Sequence, residues 1–383
     1  MPKLYDCLLT HTSKSLGDLP EPYYWWEAGL MWGAMLDYYH YTGDATYNDN
    51  IVSALVSPLQ TGPNFDYVPP GHAHEEGNDD LGFWGFAVMA AAEMNFPQPH
   101  STVPAWLDLG KNIFQSLVSR WNDDCGGGLI WQIYANNPNG MTYKNSVSNG
   151  GFFQLAARLY RATGEKEYLD WASRIYDWTT SVGLIDDNFY VYDGVDTRDG
   201  CSNVNKVAFT YSHGIFMYGA AVLADATGSD TWHDRAEGLV RGVHRFFTPP
   251  GTSSSIMYEA ACDTVNTCTT DMLVHKATLA RMMWKTAAMM PSLSDAVHKF
   301  LDTTVQAAVA TCTGGPDGKQ CGQRWYKTGN DGSLGLGQQL CALELVHGLL
   351  AHEADLPLKG DAIEVVRTKA WAMATASTST VVA

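Results

Sequence analysis

Residues 77–93 read Gly-Asn-Asp-Asp-Leu-Gly-Phe-Trp-Gly-Phe-Ala-Val-Met-Ala-Ala-Ala-Glu. Asn78 or Asp79 is a suitable N-cap, and Trp84, Val88 and Ala91 then recur at helical spacing, so the stretch reads as a helix with two carboxylates at its mouth. The residues around it are apolar on every side. A helix of that kind belongs inside a larger helical assembly, not on its surface.

The same pattern recurs along the chain. Amphipathic or apolar helical stretches are expected at 3–14, 23–44, 45–57, 79–95, 102–121, 149–162, 166–181, 211–227, 230–247, 271–289, 293–311 and 335–352. They alternate in two kinds, six of each, if residues 3–14 supply the partner of the last. Short turns join the members of a pair, and three of these carry Thr-Gly, where Gly can take the left-handed conformation past a helix end. Six hairpins closing on themselves predict an all-α fold, an (α/α)6 toroid. The expected organisation is one catalytic domain over 1–371 and a disordered Ser/Thr-containing tail over 372–383.

The returns between pairs, at 57–78, 122–148, 182–210, 248–270 and 312–334, are about 22–29 residues long, against about 4–6 for ordinary connections. All of them fall on one rim, where the first helix of each pair begins. Asp79 and Asp80 therefore open onto that rim, at the positive end of a helix dipole.

Composition narrows the function. The chain of 383 residues has 13 Trp and 19 Tyr, flat faces that pack cores and also suit sugar rings. A formal charge of −17 argues against nucleic acid and anionic membrane surfaces as partners. No apolar run is long enough to span a membrane, and residues 1–20 lack the core of a signal peptide. Six of the eight cysteines lie in the rim loops and are read as disulfides: Cys262 with Cys268, Cys312 with Cys321, and Cys125 with Cys201. Cys7 and Cys341 fall in helices and read as small core residues.

Asp79-Asp80 is one of three Asp-Asp pairs. Asp123-Asp124 and Asp186-Asp187 sit in polar loops and read as turn formers. For Asp79-Asp80, position alone leaves capping and catalysis both open. His72-Ala-His74-Glu75-Glu76 lacks the spacing and further ligands of a metal site, and the Gly-rich stretch 332–337 follows no strand, so neither a metal nor another cofactor is expected. Trp131, Tyr134, Tyr190, Tyr192, Trp325 and Tyr326 are loop aromatics that could serve as sugar platforms.

The strings PYYWWEAG, EGNDDLGFWGFAVMAAAE, CGGGLIWQI, YKNSVSNGGFFQLAARL, CTGGPDGKQCGQRW and GLGQQLCALE together resemble the fungal cell-wall branch of glycoside hydrolase family 76. The resemblance runs in order over about residues 18–350 and implies a retaining mannan endo-1,6-α-mannosidase or transglycosidase. It implies Asp79 as nucleophile and Asp80 as acid/base. The candidate substrate-binding set is Asn78, Trp84, Trp131, Asn149, Tyr211, His213, Asp271 and Trp325. The expected partners are mannan or the mannose core of a GPI anchor as substrate and a β-glucan as acceptor, and the protein is expected to be a monomer, secreted, at the cell wall or the outer face of the plasma membrane. The signal peptide and GPI signal are not found in this chain. The different-class alternative is a non-hydrolytic carbohydrate-binding wall protein on the same scaffold. Two positions depart from the family pattern: Leu81, where Gln is usual, and Ser212-His213, following Tyr211.

Overall fold

The structure is a computed structural model and describes residues 17–99, 102–135, 140–253 and 255–364. Eleven helices of two turns or more follow one another: α1 (Trp25–Thr42), α2 (Asn48–Leu55), α3 (Asn78–Glu93), α4 (Trp106–Ser119), α5 (Ser146–Thr163), α6 (Lys166–Ser181), α7 (Thr210–Thr227), α8 (Asp230–Gly242), α9 (His275–Met289), α10 (Ser294–Ala310) and α11 (Leu336–His347). The odd-numbered helices form an inner ring. Each packs on the next, and α11 returns to α1, which closes the toroid. Among the even-numbered helices, α2, α4, α6, α8 and α10 lie outside, each against the inner helix that precedes it.

Sequence explains the two layers. Inner helix α5 buries every residue except Tyr160 and Thr163, whereas outer helix α4 buries half of its length, chiefly one stripe, Trp106, Leu109, Gly110, Ile113, Phe114 and Leu117, with Leu107 beside it. The three Thr-Gly turns behave as expected: Gly43, Gly164 and Gly228 take φ of 70°, 72° and 64°, and each donates its N–H to the carbonyl of the last full turn. Inner helices approach closely at glycines: an added Cβ at Gly82 would stand 3.1 Å from the Gly151 Cα, and one at Gly214 3.0 Å from the Leu279 Cα.

Charged residues buried between inner helices fix their relative positions. Arg158 of α5 forms a bidentate pair with Glu93 of α3, at 2.9 and 2.7 Å. Arg281 and Lys285 of α9 share Asp37 of α1, at 2.6 and 2.8 Å.

Several boundaries move. The stretch 102–121 contracts to α4, and 230–247 ends as α8 before a 3-10 turn over Val243–Phe246. The stretch 271–289 begins as a 3-10 turn, Asp271–Val274, before α9. The first long return contains an α-helical turn, Pro58–Thr61, and a 3-10 turn, Pro70–His72, and two returns contribute strands that the pattern does not announce, β1 (Tyr143–Asn145) and β2 (Gly194–Asp196), paired antiparallel with Asn145 opposite Gly194. The expected helix 3–14, Cys7 and the tail 372–383 lie outside the described residues.

The disulfides are Cys125–Cys201, Cys262–Cys268 and Cys312–Cys321, and Cys341 is a buried thiol. Lys144 of β1 is also buried. Its Nζ donates to the carbonyls of Asn122 and Gly127 at 3.0 and 2.6 Å, drawing the loop that carries Cys125 around the strand.

Candidate active site

Helix α3 starts one residue earlier than its capping residues suggest. The N-cap is Gly77, extended at φ −115° and ψ 171°, and Asp80 closes the cap by accepting the Gly77 N–H at 2.7 Å. Asn78 is occupied elsewhere, its backbone N–H on Trp131 O and its Nδ2 on Ile130 O, both 2.8 Å. A Cβ at position 77 would collide with Asp79 Oδ1 and sit 3.0 Å from Trp131 O, so the glycine leaves room for the carboxylate behind it. Both acids are thus in the first helical turn, held by different partners.

They open into a cavity of about 440 Å3 on the long-loop rim. One wall is aromatic. Trp26 lies against Phe83 with ring centres 4.5 Å apart, Phe83 stacks on Tyr211, and Tyr211 stacks on His275 at 3.9 Å and 4°. The His275 imidazole is held neutral, burial having pushed it down to about 4, and its Nδ1 lies 3.7 Å from Glu259. Acidic groups occupy the remaining wall: Glu75, Asp193 and Asp271 join the Asp pair, and no lysine or arginine lines the cavity among the described residues.

The two catalytic candidates differ electrostatically. Asp79 is partly open to the cavity and accepts the Trp131 indole N–H at 3.1 Å. Burial pushes it up to about 7, against that bond, which favours the anion. Asp80 is 6% exposed, and burial followed by the neighbouring Asp79 charge raises it well above the ordinary range. At neutral pH one proton is therefore held on Asp80 while Asp79 ionises.

Of the sequence-derived set, Asp79, Asp80, Trp131, Tyr211 and Asp271 come together at the cavity. The other five do not line it. Asn78 fixes the loop at Ile130 and Trp131, and Asn149 is buried and bonds both backbone groups of Leu129, at 2.8 and 3.1 Å. Trp84 is fully buried, packed between Trp25 and Tyr67. His213 is buried, with its Nε2 2.7 Å from Leu239 O in the contact between α7 and α8. Trp325 is buried under the Lys276 ammonium, 4.1 Å above its ring. Burial against other helices and loops keeps these five off the cavity wall. The departures at Leu81 and Ser212 also lie in buried positions, away from the cavity wall. Asp186 serves its turn, accepting the N–H groups of Asn188 and Tyr190, both at 2.9 Å.

Sequence reasoning missed Trp26, Phe83, Tyr143, Asp193, Phe209 and His275, all on the wall. His275 and Phe83 carry a usable signal, since both stand at or near the start of an inner helix. Tyr143 and Asp193 carry none, because the strands that present them are three residues long.

Residues 1–361 match the model described as Glycosyl hydrolase family 76. The chain belongs to glycosyl hydrolase family 76. This family-76 chain is 46% identical over 336 residues to the mannan endo-1,6-alpha-mannosidase DCW1 of Candida glabrata, covering 87% of this chain and 74% of that protein. It is 40% identical over 356 residues to the mannan endo-1,6-alpha-mannosidase DFG5 of Saccharomyces cerevisiae, covering 92% and 76%. Among solved structures it resembles Dfg5 from Chaetomium thermophilum in complex with glucosamine, with a TM-score of 0.87, 36% identity and coverage of 97% and 96%. An α-1,6-mannanase of Salegentibacter, in an inactive form bearing two adjacent Asp-to-Asn substitutions and bound to α-1,6-mannotriose, shares the fold at a TM-score of 0.72 and 22% identity, with coverage of 91% and 98%. The protein is a glycoside hydrolase on the (α/α)6 toroid.

Proposed function

We propose that the protein is a retaining endo-acting mannosidase or transglycosidase cleaving α-1,6-mannosidic bonds, in mannan or in the mannose core of a GPI anchor, during wall construction. The observation that carries this reading is the unlike pair in one cavity: Asp79 partly open, hydrogen-bonded by Trp131 and ionised near neutrality, beside a buried Asp80 that keeps its proton. Retention needs that division, with one carboxylate attacking the anomeric carbon while the other protonates the leaving oxygen. Asp79 Oδ forms a bond to the anomeric carbon as the glycosidic C–O bond breaks and the Asp80 proton passes to the departing oxygen. Asp80, now ionised, then takes a proton from water or from an acceptor hydroxyl, whose oxygen displaces Asp79.

The curated fungal relatives support α-1,6-mannan as the substrate, and the aromatic wall from Trp26 to His275 offers faces for pyranose rings. A GPI-core donor, a β-glucan acceptor, action as a monomer and placement at the wall extend the same reading. Among the described residues no helix is long and apolar enough to cross a membrane. The test is an NMR time course on α-1,6-mannotetraose. α-Configured products appearing first support the reading, and β-configured products or no turnover count against it.

A further inference from the structure

A further carboxylate, Asp193, is held in the cavity by a network of its own, built from the loops. Tyr143 of β1 and Asp193, just before β2, both line the cavity. Tyr143 donates its hydroxyl to Asp193 Oδ2 at 2.6 Å, and Asn205 Nδ2 donates to the same oxygen at 3.0 Å and to the Tyr143 oxygen at 3.0 Å. The ring of Tyr143 lies so close over Gly194 that a Cβ there would stand 2.5 Å from Cζ, so the strand register and the glycine seat the tyrosine. Both protein donors thus fall on Oδ2. Oδ1 accepts no hydrogen bond from the described residues, and Asp193 lines the cavity.

Resting on the family-76 mannosidase reading, we propose that Asp193 Oδ1 accepts a hydrogen bond from a mannosyl hydroxyl and so selects how the chain lies across Asp79 and Asp80, with Tyr143 and Asn205 as positioning residues. Asp193, Tyr211 and Asp79 all line the same cavity. With five carboxyl groups and no lysine or arginine among the described residues of the wall, the site is rich in acceptors, matching a ligand rich in hydroxyl donors.

The same network makes the test selective. In Asp193→Asn the Tyr143 and Asn205 donors still require an acceptor, so the amide oxygen turns to them and its NH2 faces the cavity, replacing an acceptor with a donor at nearly constant shape. The kcat/KM of Asp193→Asn on α-1,6-mannotriose is expected to fall about 10- to 150-fold, the range for a hydrogen bond to a charged group, with an unchanged melting temperature. Across a set of monodeoxy mannotriosides, the difference between parent and variant should shrink to roughly twofold for one analogue alone, the one lacking the hydroxyl that Asp193 binds. Tyr143→Phe, which loosens Asp193 without removing it, should give a smaller loss with the same analogue dependence and serves if Asp193→Asn fails to fold. Parental activity in the variants, or a loss equal for every analogue, overturns the assignment while leaving the mannosidase reading intact. Failure of the parent to cleave mannotriose overturns both.

Discussion

At the residue scale the chemistry depends on two neighbours having unlike environments. Asp79→Ala should lose turnover on every mannoside, because it removes the attacking carboxylate that both steps pass through. Asp80→Ala should lose about 10²- to 10⁴-fold on mannan yet still be glycosylated by aryl mannosides with good leaving groups, which need no proton, and added azide should then speed turnover. The kcat/KM profile of the parent should have its acid limb near pH 7, set by Asp79, and its basic limb well above, set by Asp80. Trp131→Phe removes a bond that favours the Asp79 anion, so the acid limb should move to higher pH while the ring is kept. Stability carries the opposite sign. A carboxyl raised from about 4 unfolded to about 7 folded lends stability at low pH that is lost as pH rises through that window, so Asp79→Asn should melt a few degrees above the parent at pH 7 and no higher at pH 4. Equal melting curves at both pH values would show that Asp79 is not held in a costly state.

At the scale of elements, the inner helices were readable and the loops were not. Burial on all sides, the Thr-Gly ends and the alternation of long and short connections together specified a toroid, and each depends on periodicity that spans many residues. The start of α3 was misplaced because Asn78 and Asp79 look like caps, whereas the real cap is a glycine whose missing side chain makes room for Asp79. Trp84, His213 and Trp325 look like sugar-binding residues by type. Their positions on helix faces or in loops folded against other elements bury them, and no local pattern reports that. Tyr143 and Asp193 were invisible because their meeting is made by pairing between two distant loops. The buried Arg158–Glu93 pair between α5 and α3 gives a test at this scale. Glu93→Leu alone should cost about 3–5 kcal/mol in chemical denaturation, and adding Arg158→Met should recover much of it, since the isolated charge is what is costly. Equal losses in the single and double variants would mean that packing, not charge, sets the value.

At the scale of the whole molecule, a closed ring of helices holds one end of α3 while disulfides restrain the rim that faces it. Cys125–Cys201 spans 76 residues and Cys262–Cys268 spans 6, so loop entropy assigns them about 4.5 and 2.2 kcal/mol. Replacing the first pair with serines should therefore lower the melting temperature more than replacing the second. It should also weaken mannan cleavage, because the Cys125 and Cys201 loops flank β1 and β2, which present Tyr143 and Asp193. All of this scaffold converges on one carboxylate, and the most direct measurement is intact-mass and fragment analysis of the protein quenched during turnover of a dinitrophenyl α-1,6-mannobioside. A mannobiosyl ester should accumulate in Asp80→Ala, localise by fragmentation to Asp79, and be absent from Asp79→Ala. An ester on Asp80 in the Asp79→Ala protein, or no ester in either variant while the parent turns over, would contradict the account.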